Sequence, residues 1–189
     1  MARRVSRSAR LVLVFVAALA VGVGALVFVS YRNTITPAGI ILHHSAIPAE
    51  HAGGSVDVRL IDKFHERRGF GIFYWGRTYH VGYHYLILPD GTVQQGRPER
   101  CQGAHAQGHN DFIGICLVGN YSGKENPNGT RDLPRPTDAQ LESLVRLCRQ
   151  LSGRYRFTSE KILRHADVAP HTECPGDRFP FQDVINRVN

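Results

Sequence analysis

The sequence predicts an α/β fold in which a mixed central β-sheet is flanked by helices, with a single transmembrane helix at the N-terminus. Three observations predict this arrangement. An unbroken run of nineteen apolar residues spans positions 11–29. After it, short runs rich in Ile, Leu and Val alternate with turn residues, which is typical of buried strands. Between these runs lie segments with the apolar spacing of amphipathic helices.

The apolar run Leu11–Val29 contains no polar side chain. As a helix it measures roughly 28 Å, close to the ~30 Å hydrocarbon core of a bilayer. Four arginines precede the run and one follows it: Arg3, Arg4, Arg7, Arg10 and Arg32. The positive-inside rule therefore predicts a cytoplasmic N-terminus and a main domain outside the membrane. We interpret the chain as a single-pass protein of the inner membrane with its main domain on the periplasmic side. The run is longer than a signal-peptide core and lacks a small-x-small site, which favours an uncleaved anchor. The alternative is secretion after cleavage.

The chain is therefore divided into two parts. Residues 1–36 form a cytoplasmic basic tail, the anchor at about 11–29, and a linker, and residues 37–189 form one domain. Of the net charge of +7, the N-terminal arginines supply +5, so the domain carries 18 basic and 16 acidic residues. This small excess does not make a basic stripe, so nucleic acid is not a predicted partner. The sequence indicates no oligomeric state.

The sequence of the first half of the domain predicts one helix, with strands before and after it along the chain. Ile40-Ile41-Leu42 predicts a short buried strand that ends in two histidines. Residues 55–68 predict a helix that Gly69 stops. Residues 79–88 read as one strand, and the turn at 89–92 leads into a short strand at 93–95.

The second half predicts a central strand at 112–118, which is apolar on both faces, and an exposed loop at 120–136. Thr137 and Gln140 form a capping-box pattern at the start of a strongly amphipathic helix. Residues 161–165 predict a short strand that also ends in a histidine, and residues 181–188 predict a terminal helix.

Histidine and cysteine side chains provide the candidate chemistry. His43 and His165 each end a predicted strand, and Cys174 follows nine residues after His165. Two imidazoles and one thiolate suit zinc, and three protein ligands leave the fourth position of a catalytic site open. Competing zinc motifs are absent, because His65-Glu66 lacks the second histidine of H-E-x-x-H and no C-x-x-C motif occurs. The G-x-S-x-G motif of serine hydrolases is absent as well.

Four segments in order resemble one family: ILHHSA at 41–46, VGYHYLILPDGTVQQGR at 81–97, GAHAQGHNDFIGICLVGNY at 103–121 and RHADVAPHTECPGD at 164–177. They resemble the zinc-dependent N-acetylmuramoyl-L-alanine amidases of the amidase-2 type, which share a fold with peptidoglycan recognition proteins and phage lysozyme-type amidases. The resemblance covers nearly the whole domain from Gly39. It implies that residues 37–189 form a zinc amidase catalytic domain.

The resemblance also implies roles for individual residues. His43, His165 and Cys174 match the family's Zn²⁺ ligands, and Tyr83 matches its catalytic tyrosine. His105 and Asn110 match positions that line the peptidoglycan groove. His44 is a further candidate in that groove, and a hydrogen-bonding role beside the metal is favoured for it.

The second catalytic residue remains open between two neighbours. The family position two residues before the cysteine corresponds to Thr172, and this residue is favoured. However, many members have one residue fewer between the second histidine and the cysteine, so the loop 166–173 can bulge and bring His171 forward instead.

The activity implied by the resemblance is hydrolysis, by a zinc-activated water, of the amide bond between N-acetylmuramic acid and L-alanine in peptidoglycan. Two alternatives stay open. One is a non-catalytic peptidoglycan-binding module, a class that typically lacks the cysteine ligand found here at Cys174. The other is a zinc peptidase that cuts within the stem peptide.

Apart from Cys174, three cysteines remain: Cys101, Cys116 and Cys148. An odd number leaves at least one free. Cys116 lies in the predicted central strand and is most simply a small buried apolar residue. A bridge between Cys101 and Cys148 is left open by the sequence.

Overall fold

The computed structural model describes residues 6–47, 50–51 and 54–189, and it confirms the predicted fold class. Arg3 and Arg4, two of the arginines that predict the membrane orientation, lie outside the described residues. Strands are numbered along the chain. The central mixed sheet contains β1 Ile40–His44, β6 Tyr85–Ile87, β7 Val93–Gln95, β8 Ile113–Leu117 and β9 Ile162–Arg164. Two small hairpins join β2 Glu50–His51 to β3 Gly54–Ser55 and β4 Ile72–Tyr74 to β5 Arg77–Tyr79.

The described residues form five α-helices and one 3-10 turn at Ser159–Lys161. The helices are α1 Arg7–Arg32, α2 Val58–Glu66, α3 Asp138–Tyr155, α4 His165–Val168 and α5 Phe181–Val188. The capping box predicted for α3 is confirmed, since the Thr137 hydroxyl accepts from the Gln140 amide and the Gln140 side chain accepts from the Thr137 amide. Helix α2 is shorter than the predicted 55–68, because Asp57 caps it and Ser55 belongs to β3.

The strands lie in the order β7-β6-β8-β1-β9. Strand β1 runs parallel to both β8 and β9, β8 runs parallel to β6, and only β7 is antiparallel. The prediction of a central strand at 112–118 is confirmed by β8. Parallel strands covered on both faces are buried throughout, which explains why β1 and β8 are buried at every position without alternation.

The two faces of the sheet pack against different helices. On one face, Ile40 and Leu42 join the core formed with α3 and α5. On the other face, Cys116 and Leu86 pack with Ile61 of α2. Because side chains alternate along a strand, residues 41 and 43 of β1 point to the same face as α2. The candidate site lies on this second face.

The prediction of one continuous strand over 79–88 is wrong, because β5 ends at Tyr79 and β6 begins only at Tyr85. Side chains from elsewhere take up the backbone groups between them. The Asp62 carboxylate accepts from the amides of His80 and Val81 at 3.0 and 2.7 Å. The buried Arg97 guanidinium donates from Nε to the Val81 carbonyl at 2.6 Å. Chain segment 80–84 therefore crosses the site as an irregular connection.

The prediction of an exposed loop over 120–136 is wrong for its first part. Tyr121 is fully buried, and Asn120, Ser122 and Asn126 are also buried. The Tyr121 hydroxyl donates to the Val118 carbonyl at 3.0 Å, and its ring packs near Phe179. The glycines and prolines of this segment do indicate turns, but burial of the Tyr121 ring places the first part of the segment in the core.

Helix α1 is long and apolar enough to cross a membrane over Arg10–Arg32, and it is largely exposed. The residues that follow it are held against the domain. Thr34 forms an isolated antiparallel bridge with Cys101, and the Ile35 amide donates to the Arg100 carbonyl at 2.8 Å. The segment predicted as a linker is thus fixed by hydrogen bonds over residues 33–35.

Candidate active site

Adjacent histidines at the end of β1 point to opposite faces of the sheet. His43 faces the side of α2, while the His44 ring lies on the side of Tyr121, whose amide donates to His44 Nδ1 at 3.1 Å. The His44 amide also lies 3.4 Å from the Cys174 Sγ. Strand alternation therefore selects His43 alone for the cluster below and leaves His44 as a hydrogen-bonding neighbour.

Three side chains meet on the α2 face. The ligand atoms of His43, His165 and Cys174 all lie within 4.8 Å of one another. Cys174 Sγ is 3.7 Å from His43 Nδ1, close to the edge of about 3.6 Å that tetrahedral Zn–N and Zn–S bonds require. His165 begins α4 instead of ending β9, and its ring centroid is 4.5 Å from that of His43. The residues present fit a zinc ion with two nitrogen ligands and one sulfur ligand.

A chain of hydrogen bonds fixes the orientation of His43. His43 Nε2 lies 3.0 Å from His105 Nδ1, and His105 Nε2 lies 3.0 Å from the Phe112 carbonyl oxygen. The carbonyl can only accept, so His105 carries its proton on Nε2 and accepts through Nδ1. His43 then carries its proton on Nε2, which leaves the lone pair of Nδ1 directed at Cys174. Of the two His43 tautomers, this is the one that can bind a metal through Nδ1.

Burial keeps the imidazoles of the cluster neutral. It lowers the pKa of His43 well below its usual value, with further lowering by His105, His165 and His44. Burial also lowers the pKa of His105 to about 3 and that of His44 to about 4. At neutral pH these rings carry no charge, which is the state that a metal ligand needs.

The Cys174 thiol is protonated at neutral pH in the absence of a metal. Burial raises the pKa of this thiol to about 12, although the nearby His44 amide lowers it in part. A cation bound between the three residues must therefore displace one proton from the sulfur.

A groove of about 530 Å³ opens beside the cluster. Tyr83 and His165 lie on its lining, and the Tyr83 ring centroid is 5.2 Å from that of His43. Burial, followed by the nearby Cys116 and Cys174 thiols, raises the pKa of Tyr83 well above its usual value. The phenol therefore keeps its proton and can act as a hydrogen-bond donor.

Part of the groove lining belongs to the loop after Cys101. His105, Ala106 and Asn110 line it, and the Asn110 side-chain oxygen accepts from the amides of His105 and Ala106 at 2.9 and 3.1 Å. Gly114 lies beneath, where a Cβ atom would be 2.6 Å from the His105 ring. A glycine at this position of β8 lets the imidazole lie flat against the sheet.

Residues 33–177 match the family described as N-acetylmuramoyl-L-alanine amidase. The chain belongs to this amidase family.

The amidase is also similar to individual proteins. The endolysin of Enterobacteria phage T3 is 37% identical over 152 residues, which make up 78% of this chain and 85% of the phage protein. The solved structure of the N-acetylmuramoyl-L-alanine amidase LysC from Clostridium intestinale URNW is 34% identical, with a TM-score of 0.65, and covers 82% of this chain and 87% of that chain. Drosophila PGRP-LB is 29% identical, with a TM-score of 0.60, over 80% of this chain and 82% of that chain. The resemblance inferred from the four motifs is confirmed.

The two candidates for the second catalytic residue of the amidase lie in different surroundings. Thr172 Oγ1 accepts from the Cys174 amide at 3.2 Å, and this residue lines a smaller cavity next to His44. His171 lines that cavity and the main groove as well. Its proximity also contributes to lowering the pKa of His165, after burial.

Sequence reasoning missed a further part of the groove lining, which consists of His65, Arg68 and Phe70 in the amidase. His65 Nδ1 accepts from the Gly82 amide at 2.8 Å, and the Arg68 guanidinium lies 4.6 Å from the centre of the Phe70 ring. The segment H-E-R-R-G-F gave no signal beyond a failed zinc motif. Only the structure shows that this segment lies near Tyr83, with the His65 and Tyr83 ring centroids 5.4 Å apart.

All four cysteines of the amidase are described, and each is buried and unpaired. The bridge between Cys101 and Cys148 that the sequence left open is not formed. Cys148 lies on the buried side of α3, and Cys101 pairs through its backbone with Thr34. Cys116 is fully buried in β8, as predicted.

Proposed function

We propose that this amidase hydrolyses the amide bond between N-acetylmuramic acid and L-alanine in peptidoglycan, using one zinc ion held by His43, His165 and Cys174. The observation that carries the proposal is the meeting of three ligand atoms within 4.8 Å at the edge of an open groove. A recognition module needs the groove but not this cluster. The cluster therefore favours hydrolysis over binding alone.

Zinc, when bound, supplies Lewis-acid polarisation of the scissile carbonyl and acidification of the attacking water. The protein supplies the rest. His105 holds His43 in the required tautomer through the 3.0 Å contact between their rings. Tyr83 lines the groove and keeps its proton, and we propose that it donates a hydrogen bond to negative charge that develops on the substrate oxygen.

We propose His171 as the residue that faces the substrate across from Tyr83. The sequence favoured Thr172, but its hydroxyl is engaged with the Cys174 amide and it does not line the main groove. Thr172 instead helps to orient the metal-binding cysteine. Alanine variants of the two residues separate these roles: His171→Ala should lower turnover with zinc retained, and Thr172→Ala should mainly weaken zinc binding.

Peptidoglycan is the proposed substrate of the groove. His105 and Asn110 line it, but most of their polar atoms form hydrogen bonds within the protein. His65 and Arg68 present polar groups elsewhere on the lining, and Phe70 adds an apolar surface. We infer that these three residues contact the stem peptide, which would extend along the groove from the scissile bond.

We further propose that α1 is an uncleaved anchor that holds the domain on the periplasmic side of the inner membrane. Its length, its apolar surface and the arginines at both ends support this proposal. Protease added outside spheroplasts should remove the domain and leave a membrane-embedded fragment of about 35 residues. A mature N-terminus at Ser30 or later would instead show a cleaved signal sequence.

The test of the activity is digestion of purified muropeptides, with mass spectrometry of the products and elemental analysis of the protein. The wild type should contain one zinc per chain and should release intact stem peptides that begin with L-alanine. Cys174→Ala should lose zinc and activity together. Cys148→Ala is the matched control, because it removes another buried thiol, from the core on the opposite face of the sheet.

Three other outcomes would contradict the proposal in different ways. Cleavage within the stem peptide would identify a zinc peptidase. Binding of muropeptides without any product would identify a recognition module. Full activity in a zinc-free preparation would show that the reaction does not require zinc.

A further inference from the structure

The hairpin formed by β4 and β5 lies directly against the C-terminal end of α1. The Trp75 amide donates to Ser30 Oγ at 3.0 Å, and Ser30 is almost fully buried. The Asn33 side chain donates to the Phe73 carbonyl at 2.8 Å. These contacts fix the tip of the hairpin one residue beyond Val29, where the apolar run ends.

A second set of hydrogen bonds fixes the chain that leaves the helix. The Gln102 amide donates to the Asn33 carbonyl at 2.9 Å, and the Ile35 amide donates to the Arg100 carbonyl at 2.8 Å. The Thr34 hydroxyl donates back to the Ser30 carbonyl at 2.9 Å. The helix and the domain are thus joined without a free linker, so the depth of α1 in a bilayer sets the depth of the hairpin.

The tip of the hairpin exposes an aromatic ring. Trp75 and Gly76 form the two-residue turn, with φ angles of +43° and +90°. Trp75 is 59% exposed and is the single tryptophan of the chain. Most of the indole is hydrated at this turn and gains little from packing, whereas the interfacial region of a bilayer accommodates both its apolar ring and its N–H group.

Exposed arginines lie in the hairpin, at the end of α1 and in the loop that the chain contacts after α1. Arg77 pairs with Tyr74 across the turn, and Arg32 is the last residue of α1. Arg32 and Arg100 line a cavity of about 380 Å³ together with Tyr31 and Thr34. The neighbouring Glu99 does not neutralise them, because its carboxylate is bound by Tyr85, Tyr155 and Arg154.

We propose that this surface, formed by Trp75, Arg32, Arg77 and Arg100, rests on the headgroup region of the membrane that α1 crosses. Trp75 enters the interface, and the arginines bind the phosphates of anionic phospholipids. The inference rests on the proposed spanning role of α1 and adds to it a second contact that fixes the tilt of the domain. In the proposed arrangement the apolar run, the indole and the arginines occupy the hydrocarbon, interface and phosphate regions of the bilayer, respectively.

The single tryptophan makes the proposal testable by fluorescence of the full-length chain. The protein is reconstituted in vesicles of phosphatidylcholine and phosphatidylglycerol whose acyl chains carry bromine either near the headgroup or near the chain end. An indole about 5–10 Å deep should lose roughly half of its emission to the shallow bromines and much less to the deep ones. Its emission should also be protected from acrylamide in the water.

A second tryptophan position distinguishes failure of this proposal from failure of the anchor. Phe15 lies within the apolar run and is exposed on α1. Phe15→Trp in a Trp75→Phe background should be quenched best by the deep bromines. If that variant is quenched but Trp75 in the wild type is quenched only by acrylamide, the docking surface is refuted and the anchor stands. If neither is quenched by lipid, the anchor itself is refuted.

The arginines are tested by changing the lipid. Increasing the share of phosphatidylglycerol should draw Trp75 deeper in the wild type, because the arginines attract anionic headgroups. In the Arg77→Gln, Arg100→Gln double variant this dependence on lipid charge should be lost. An unchanged dependence would show that these two side chains do not contact the phosphates.

Discussion

Removing the His105 ring tests whether the contact between His105 and His43 prepares the metal site. His105→Ala leaves His43 Nε2 and the Phe112 carbonyl without the partners that now lie 3.0 Å from each. Loss of such a partner behind a metal ligand typically costs 10- to 100-fold in metal affinity. We expect zinc affinity to fall by about that factor, while the other two ligands stay in place.

The variant should also lower the stability of the zinc-free protein. Each polar group left buried without a partner costs about 1–3 kcal/mol, so we expect a loss of about 2–4 kcal/mol after partial hydration of the vacated space. Zinc affinity is measured by competition with a chromogenic chelator, and stability by urea unfolding in the presence of a strong chelator. His109→Ala is the matched control, because it removes an imidazole from the same loop without a contact to His43.

Gly114 provides an independent way to move the same ring. Gly114→Ala introduces a Cβ atom 2.6 Å from the His105 ring and must displace it. We expect weaker zinc binding, as in His105→Ala, and we expect the double variant to be no worse than the single ones because the two changes act through one contact. Zinc affinity within about twofold of the wild type in His105→Ala would refute the orienting role.

Three further predictions follow from the site and its supports. Tyr83→Phe should retain zinc but lose about 100- to 1,000-fold in turnover, because one hydrogen-bond donor to the developing oxyanion is removed, and near wild-type release of stem peptide would exclude this role. Arg97→Met should lower the free energy of unfolding by at least about 3 kcal/mol, since the carbonyls of Val81, Gln102 and Phe70 lose their charged donor, and urea unfolding measures this. Burial lowers the pKa of His44, His65 and His84 to about 4. Below about pH 6.5 these histidines therefore bind protons in the unfolded chain but not in the folded protein. Stability should therefore be complete above about pH 6.5 and decrease towards about pH 4, and a melting temperature that rises on acidification in the presence of chelator would contradict this.

The elements that the sequence predicted well are those whose cause is local. Helix α3 is determined by its Thr137 cap and by the spacing of its own apolar residues, and strand β1 by three adjacent aliphatic residues. The break over 80–84 has a distant cause, because Asp62, His65 and Arg97 replace the strand partners of that segment. The sequence of residues 79–88 does not indicate where those side chains lie, so the break could not be predicted from it.

The candidate site shows the same division. The motifs named His43, His165 and Cys174, and the structure brings these three together. The motifs also named His105, but only the distances show that it contacts His43 and the Phe112 carbonyl. The part of the groove lining formed by His65, Arg68 and Phe70 could not be predicted, because it depends on how α2 packs against the sheet.

The four unpaired cysteines have a consequence for where this protein can fold. Each thiol is enclosed by the structure, and none of them joins two parts of the chain. Correct folding therefore requires no oxidant and no disulfide isomerase, and a mild reductant should leave the domain intact. The same chain can reach its native state in a reducing cytosol or in an oxidising space outside the membrane. If the proposed zinc site forms part of the active protein, the local supply of zinc then becomes the remaining requirement for activity.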